Sequence, residues 1–169
     1  TNAGKSTLFN ALTHADVYAA DQLFATLDAT SRKLWLEGAG NVVLSDTVGF
    51  IRDLPHTLVA AFQATLEATV DADLLLHVVD SASAARDEQR AEVDRVLTRI
   101  GAGAAPQTLI WNKVDLTGVL PAVERDDYGR IRCVKLSART GAGLPLLRAA
   151  LGECAQDRLR NLSDAPYES

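Results

Sequence analysis

The sequence predicts an α/β fold built on a mostly parallel sheet, and three observations point there. A short continuous apolar run at 74–79 reads as a strand buried on both faces, and 108–111 and 131–136 read as further strands. Between them lie stretches with apolar residues at helical spacing, such as Val93, Val96, Leu97 and Ile100. A strand-turn-strand pattern near residue 39 adds a hairpin, which would put one antiparallel strand on the sheet edge.

In chain order, residues 4–12 predict a helix behind a glycine turn, with Leu8, Phe9 and Leu12 on one face. Residues 14–31 lack a clean period and predict a loop. Residues 34–37 and 41–45 flank Gly38-Ala39-Gly40 and form the two arms of the hairpin. Leu58, Ala61, Phe62, Leu66 and Thr69 mark an amphipathic helix over 57–70. Leu144, Leu147 and Leu151 place a last helix against the sheet. One domain over 1–159 is expected, and the polar stretch 160–169, with Pro166, predicts a frayed tail or a linker. No internal repeat or low-complexity tract is visible.

Composition narrows the function classes. Of 169 residues, 47% are apolar and 23% charged, a soluble globular mixture. The net charge of −5 gives no general nucleic-acid footprint, so DNA is not an expected partner. Cys133 and Cys154 lie far apart, without metal-ligand spacing, and are read as reduced thiols in a cytoplasmic protein. No apolar run approaches the roughly 20 residues that cross a bilayer. No membrane span and no signal peptide are expected. The chain has no methionine, so its start codon is expected upstream of Thr1.

The chain opens Thr1-Asn2-Ala3-Gly4-Lys5-Ser6-Thr7, the right-hand end of the phosphate-loop pattern G-x-x-x-x-G-K-S/T. A glycine at position 4 lets backbone approach phosphate closely, and successive N–H groups with the helix N-terminus then face the anion. Lys5 places a point charge between the β- and γ-phosphates, and the Ser6 hydroxyl can ligate Mg²⁺. The first glycine of the pattern and the strand leading into it are expected before Thr1.

Asn112-Lys113-Val114-Asp115 directly follows a predicted strand. An ionised Asp115 is acceptor-only, and guanine offers it two adjacent donors, N1–H and the 2-amino group. Adenine offers no such pair, which argues against an ATPase. Asn112 can tie the loop together and reach the base edge, and the stem of Lys113 can lie over the purine face. The set sits at the carboxyl end of a strand, where doubly wound sheets bind ligands. Ser137-Ala138 closes the last strand, and the Ala138 N–H can meet guanine O6. Gly141 and Gly143 are read as loosening the turn that follows.

Asp46-Thr47-Val48-Gly49 follows the second hairpin arm. Asp46 can hold Mg²⁺ through water, and Gly49 can offer its N–H to the γ-phosphate. Thr26 is the candidate for the other sensor, with its hydroxyl on Mg²⁺ and its N–H on the γ-phosphate; Thr30 competes for that role. Two loops would then be ordered by one phosphate and released on its loss.

These signals occur in the order shown by P-loop GTPases, whose G-domain fold is therefore expected, with its first strand outside the chain. More narrowly, the chain resembles the HflX family of translation-associated GTPases. The resemblance rests on Thr1 to Thr7, on Tyr18-Ala19-Ala20-Asp21-Gln22-Leu23-Phe24-Ala25-Thr26-Leu27-Asp28, on Asp46-Thr47-Val48-Gly49-Phe50-Ile51 and on Leu54-Pro55-His56. It implies GTP and GDP as ligands and Mg²⁺ as cofactor. It also implies the large ribosomal subunit as partner, a role in splitting or rescuing stalled ribosomes under stress, and an amino-terminal domain before this one. A monomer is expected.

Many GTPases orient the attacking water with a glutamine just after the D-x-x-G glycine, but here that residue is Phe50. Three sources of the missing element stay open: another group in the loops, a partner surface, or a monovalent cation. Asn2 resembles the loop residue of potassium-stimulated GTPases, which makes K⁺ the candidate ion. A GTP-dependent binding module with little hydrolysis of its own is the alternative. His56 reads as a turn residue, and Arg52 and Arg139 as exposed candidates for partner or nucleotide contacts.

Overall fold

The computed structural model describes residues 3–13, 31–47 and 67–164. Strands β1 (Ser31–Leu36) and β2 (Gly40–Ser45) pair antiparallel across the Gly38-Ala39 turn. Strands β3 (Leu75–Asp80), β4 (Gln107–Asn112), β5 (Ala122–Arg125) and β6 (Ile131–Lys135) form a second sheet in the order β3-β4-β6-β5. Strands β3, β4 and β6 run parallel, while β5 is antiparallel to β6.

The expected mostly parallel sheet and antiparallel pair are both present. Two details differ from the sequence reading. Among the described residues the hairpin strands pair only with each other. The antiparallel edge of the larger sheet is β5, which no periodicity announced. Its four residues, Ala122 to Arg125, have no continuous apolar run, because its outer residues face solvent.

Helix α1 spans Lys5–Thr13, α2 Arg86–Arg99 and α3 Leu144–Ser163. Leu8 and Leu12 of α1 and Leu147 and Ala150 of α3 pack with Ile110, Val134 and Leu136 in one core. Burying these stripes, rather than intrinsic propensity, stabilises helices as short as α1. Alternation along β3 then sorts its faces. Leu76 and Val78 pack against that core, while His77 and Val79 are buried on the opposite face, beneath α2. Cover on both faces explains why β3 reads as a nearly unbroken apolar run.

His77 shows one thing the pattern could not. Its Nδ1 lies 3.9 Å from Asp94 Oδ1 on α2. Burial nevertheless pushes the imidazole below its ordinary value, so the neutral ring is favoured in the interior. The thiol of Cys133, buried on β6, is pushed up to about 11 by burial, which keeps it protonated and unreactive at neutral pH.

A tail was expected from residue 160, yet α3 continues through Ser163. Arg160, Asn161, Leu162 and Ser163 include no helix breaker. The Ser163 hydroxyl donates to the Arg160 carbonyl at 2.7 Å, and Asp164 N–H follows at 3.0 Å. The residue ahead of Pro166 is biased away from helix, which suits an end near here. Residues 67–70 are helical and belong to the helix expected over 57–70, whose earlier part lies outside the described residues. Among the described residues, no helix is long and apolar enough to cross a membrane.

Candidate functional site

Residues from five separate stretches of chain meet around the carboxyl ends of β3, β4 and β6. The first is the phosphate-loop end. Gly4 has φ +87°, a left-handed conformation, and α1 starts immediately after it, with Leu8 N–H bonded to the Gly4 carbonyl at 2.9 Å. The amides of the first helical turn lack intrahelical acceptors and form a natural anion site. Gly4 has a second reason to be glycine that the motif did not reveal. A Cβ there would overlap Asn112 Nδ2.

Asn112 ends β4 and is only 2% exposed. Its Nδ2 donates to the Ala3 carbonyl at 2.9 Å, and its Oδ1 accepts the Ala138 N–H at 2.9 Å. One buried amide therefore joins the phosphate loop, the N-K-x-D loop and the loop after β6. The side chain expected to tie its own loop together instead ties three. The Ala138 N–H, expected to face guanine O6, is directed at Asn112, and a base oxygen would have to share that donor.

Lys113 has φ 66°, the one positive φ outside glycine among the described residues. Left-handed backbone at a non-glycine residue costs about 1–3 kcal/mol and persists where neighbours over-determine it. Here Val114 N–H bonds the Leu136 carbonyl at 3.2 Å on the next step of the chain. The turn presents Asp115 from a short 3₁₀ segment, Val114–Leu116. A hydrogen bond from the Ser137 hydroxyl, aided by the nearby Arg139 charge, holds the Asp115 carboxyl below its ordinary value. Arg139 Nη2 lies 3.1 Å from Asp115 Oδ2, so this exposed arginine reaches the Asp115 carboxylate.

The turn after β6 is not loose. Ser137 N–H bonds the Ala142 carbonyl at 2.8 Å, and Gly141 N–H returns to the Ser137 carbonyl at 3.0 Å. Gly143, at φ +85°, packs so closely that a Cβ would come 2.9 Å from both Leu136 Cβ and the Lys135 carbonyl. Glycine here serves close approach, and the result is a rigid seat for Ser137 and Ala138.

At the phosphate end, Ser6 Oγ donates to Asp46 Oδ2 at 3.1 Å. Lys5 Nζ lies 3.4 Å from Asp46 Oδ1 and 3.4 Å from Thr47 Oγ1. Asp46 Oδ1 is buried and has no hydrogen-bond partner among the described residues. The Ser6 hydroxyl and the Asp46 carboxylate are oxygen donors of the kind a hard divalent cation takes, with Lys5 as the charged neighbour of Asp46 Oδ1. Thr7 is exposed on the first turn of α1. Asn2, Thr26 and Gly49, with Thr30, Phe50, Arg52 and His56, lie outside the described residues.

Comparison with known proteins decides the family. A family model described as "50S ribosome-binding GTPase" matches residues 1–113. The chain belongs to that GTPase family. The expected kinship with HflX holds within it. GTPase HflX of Escherichia coli (strain K12) is 54% identical over 95% of this chain and 39% of its own length. GTPase HflX of Caldanaerobacter subterraneus subsp. tengcongensis is 50% identical over 89% of this chain and 34% of its own. The chain thus spans between about a third and two-fifths of the curated relatives it matches. A GTP-binding protein from Sulfolobus solfataricus, solved in complex with GDP, superimposes with a TM-score of 0.70 at 26% identity. That match covers 93% of this chain and 50% of the other.

Within this GTPase family site, the sequence reading missed Asp80 and Ser81. Lys113 Nζ lies 2.7 Å from Asp80 Oδ2, and Ser81 Oγ donates to the Asn112 carbonyl at 2.6 Å. The available signal was a lone carboxylate ending a buried strand beside the one that carries N-K-x-D.

The Asp115–Ser137 contact predicts a pH effect. A depressed carboxyl value keeps Asp115 ionised to lower pH than an ordinary aspartate, and the charged form is lost as pH falls through that depressed value. Ser137→Ala removes the main cause, so the acid limb of GDP affinity shifts to higher pH. Titrating GDP across pH 3–7, a range set by ordinary carboxylate values around 4, checks this. Coincident acid limbs in the two proteins would refute it.

Proposed function

We propose that this domain binds GTP and GDP and hydrolyses GTP with Mg²⁺. We infer further that it is the switch of a larger protein that acts on the large ribosomal subunit to split or rescue stalled ribosomes under stress. The observation that carries the nucleotide reading is the Asn112 clasp, which sets the phosphate loop and the guanine-reading loop at one strand end. The description of the matching family and the relatives named GTPase HflX support hydrolysis and the ribosomal role.

Each residue has a part in this reading. The amides of Gly4 to Thr7 and the Lys5 charge grip the β- and γ-phosphates. Ser6, Asp46 and Thr26 would hold Mg²⁺, which when bound neutralises charge across the phosphates. Gly49 and Thr26 would sense the γ-phosphate through their N–H groups. Asp115 reads the guanine edge, Lys113 covers its face, and Ala138 meets O6. Asn2 would seat K⁺. A second reading, a GTP-dependent binding module with little hydrolysis, is favoured by Phe50, which cannot hydrogen-bond a water.

Titration of the full-length protein with fluorescent GDP and ADP should show guanine preference, and single-turnover phosphate release should be slow alone. Large ribosomal subunits should raise that rate, as should K⁺ over Na⁺. Equal uptake of GDP and ADP would overturn the nucleotide reading. No release with subunits and K⁺ present would favour the binding module.

A further inference from the structure

The geometry points to Asp80 as a positioning residue of the guanine site, one that anchors Lys113 across the purine face before the base arrives. This inference rests on the nucleotide reading above and deepens it. Asp80 is the last residue of β3 and lies opposite Asn112 in the β3–β4 register. Its two carboxylate oxygens have separate partners. Oδ1 accepts the Ala82 N–H at 2.9 Å, which fixes the carboxylate in a tight turn. Oδ2 meets Lys113 Nζ at 2.7 Å. Both side chains are largely covered, at 24% exposure for Lys113 and 19% for Asp80. The pair is therefore screened less than a surface ion pair.

The neighbouring serine steadies the same strand end. Ser81 donates to the Asn112 carbonyl twice, from its N–H at 3.0 Å and its hydroxyl at 2.6 Å. That carbonyl precedes the left-handed Lys113, so the bonds hold the chain where it turns. The lysine stem then runs beside the phosphate loop, since a Cβ on Gly4 would stand 3.9 Å from Lys113 Cε. Backbone at one end and Asp80 at the other leave the four-carbon stem with little rotamer freedom. A base stacking on a stem already held does not have to order it, and affinity rises by that saving.

An ordinary structural ion pair would change stability without choosing which part of the ligand is felt. A positioning role makes distinct demands, testable in the full-length protein. Asp80→Ala should weaken GDP binding about tenfold, the factor expected for ordering one long side chain. GMP should lose affinity by the same factor as GDP, because the effect acts on the nucleoside and not on the β-phosphate. In turnover the loss should fall on KM rather than kcat. In a Lys113→Ala background, Asp80→Ala should have no further effect. Asp80→Asn keeps the shape and an acceptor for Ala82 but loses the charge, so it should show an intermediate loss, and it serves if the alanine variant does not fold.

Two results would overturn the inference while wild-type protein binds GDP normally. One is unchanged GDP affinity in the Asp80 variants. The other is an equal loss with and without the lysine side chain. Failure of wild-type protein to bind GDP at all would overturn the nucleotide reading and this inference together.

Discussion

Asp115→Asn should lower GDP affinity by about a thousandfold or more and raise affinity for XDP until it exceeds that for GDP. A site that hydrogen-bonds a ligand edge rejects a mismatched edge by large factors, because buried polar groups are left facing the wrong partner. In the proposed reading the carboxylate accepts from both guanine donors. An asparagine side chain offers one acceptor and one donor, and its donor would oppose either guanine N1–H or the 2-amino group. Xanthine carries an oxygen in place of that amino group and suits the amide. The substitution also removes the contact with Arg139, which is highly exposed, so stability should change little. Paired titrations with fluorescent GDP and XDP measure the switch. Unchanged GDP affinity would mean that Asp115 does not read the base.

The second large effect is expected at Asn112. Its side chain is buried and bonds two backbone groups, the Ala3 carbonyl and the Ala138 N–H. Asn112→Ala leaves both without their partner and opens a small void. An unsatisfied buried polar group costs about 1–3 kcal/mol, so a loss of about 3 kcal/mol in folding stability is expected. GDP affinity should fall with it, because the phosphate and base loops lose their shared tie. Asn112→Asp should not rescue either property. It retains an acceptor for Ala138 but turns a second oxygen toward the Ala3 carbonyl. Urea unfolding and GDP calorimetry on both variants test this; an aspartate variant as stable and as tight as wild type would refute the clasp.

Lys5, Ser6, Asp46, Lys113 and Asp115 were legible in the sequence because each lies in a short contiguous motif whose residue types follow from ligand chemistry. Strands β3 and β4 were legible because burial on both faces favours clustered apolar residues. Strand β5 was not, since an edge strand four residues long imposes no such demand. Gly143, expected to loosen its turn, instead packs too closely for any Cβ, beside a turn bridged by internal hydrogen bonds. Glycine identity alone does not distinguish freedom from tight approach.

Residue order alone was enough to name the α/β P-loop fold and the GTPase family, and to propose which motifs meet the phosphates and the base. Contacts between distant positions needed the folded chain. Only there does Asn112 reach Ala3, 109 positions away, and only there does Asp80 meet Lys113, 33 positions away. Motif chemistry is local and survives in a linear string. Which side chains hold those motifs at their working distance depends on strand register and loop packing, and these arise when the sheet assembles.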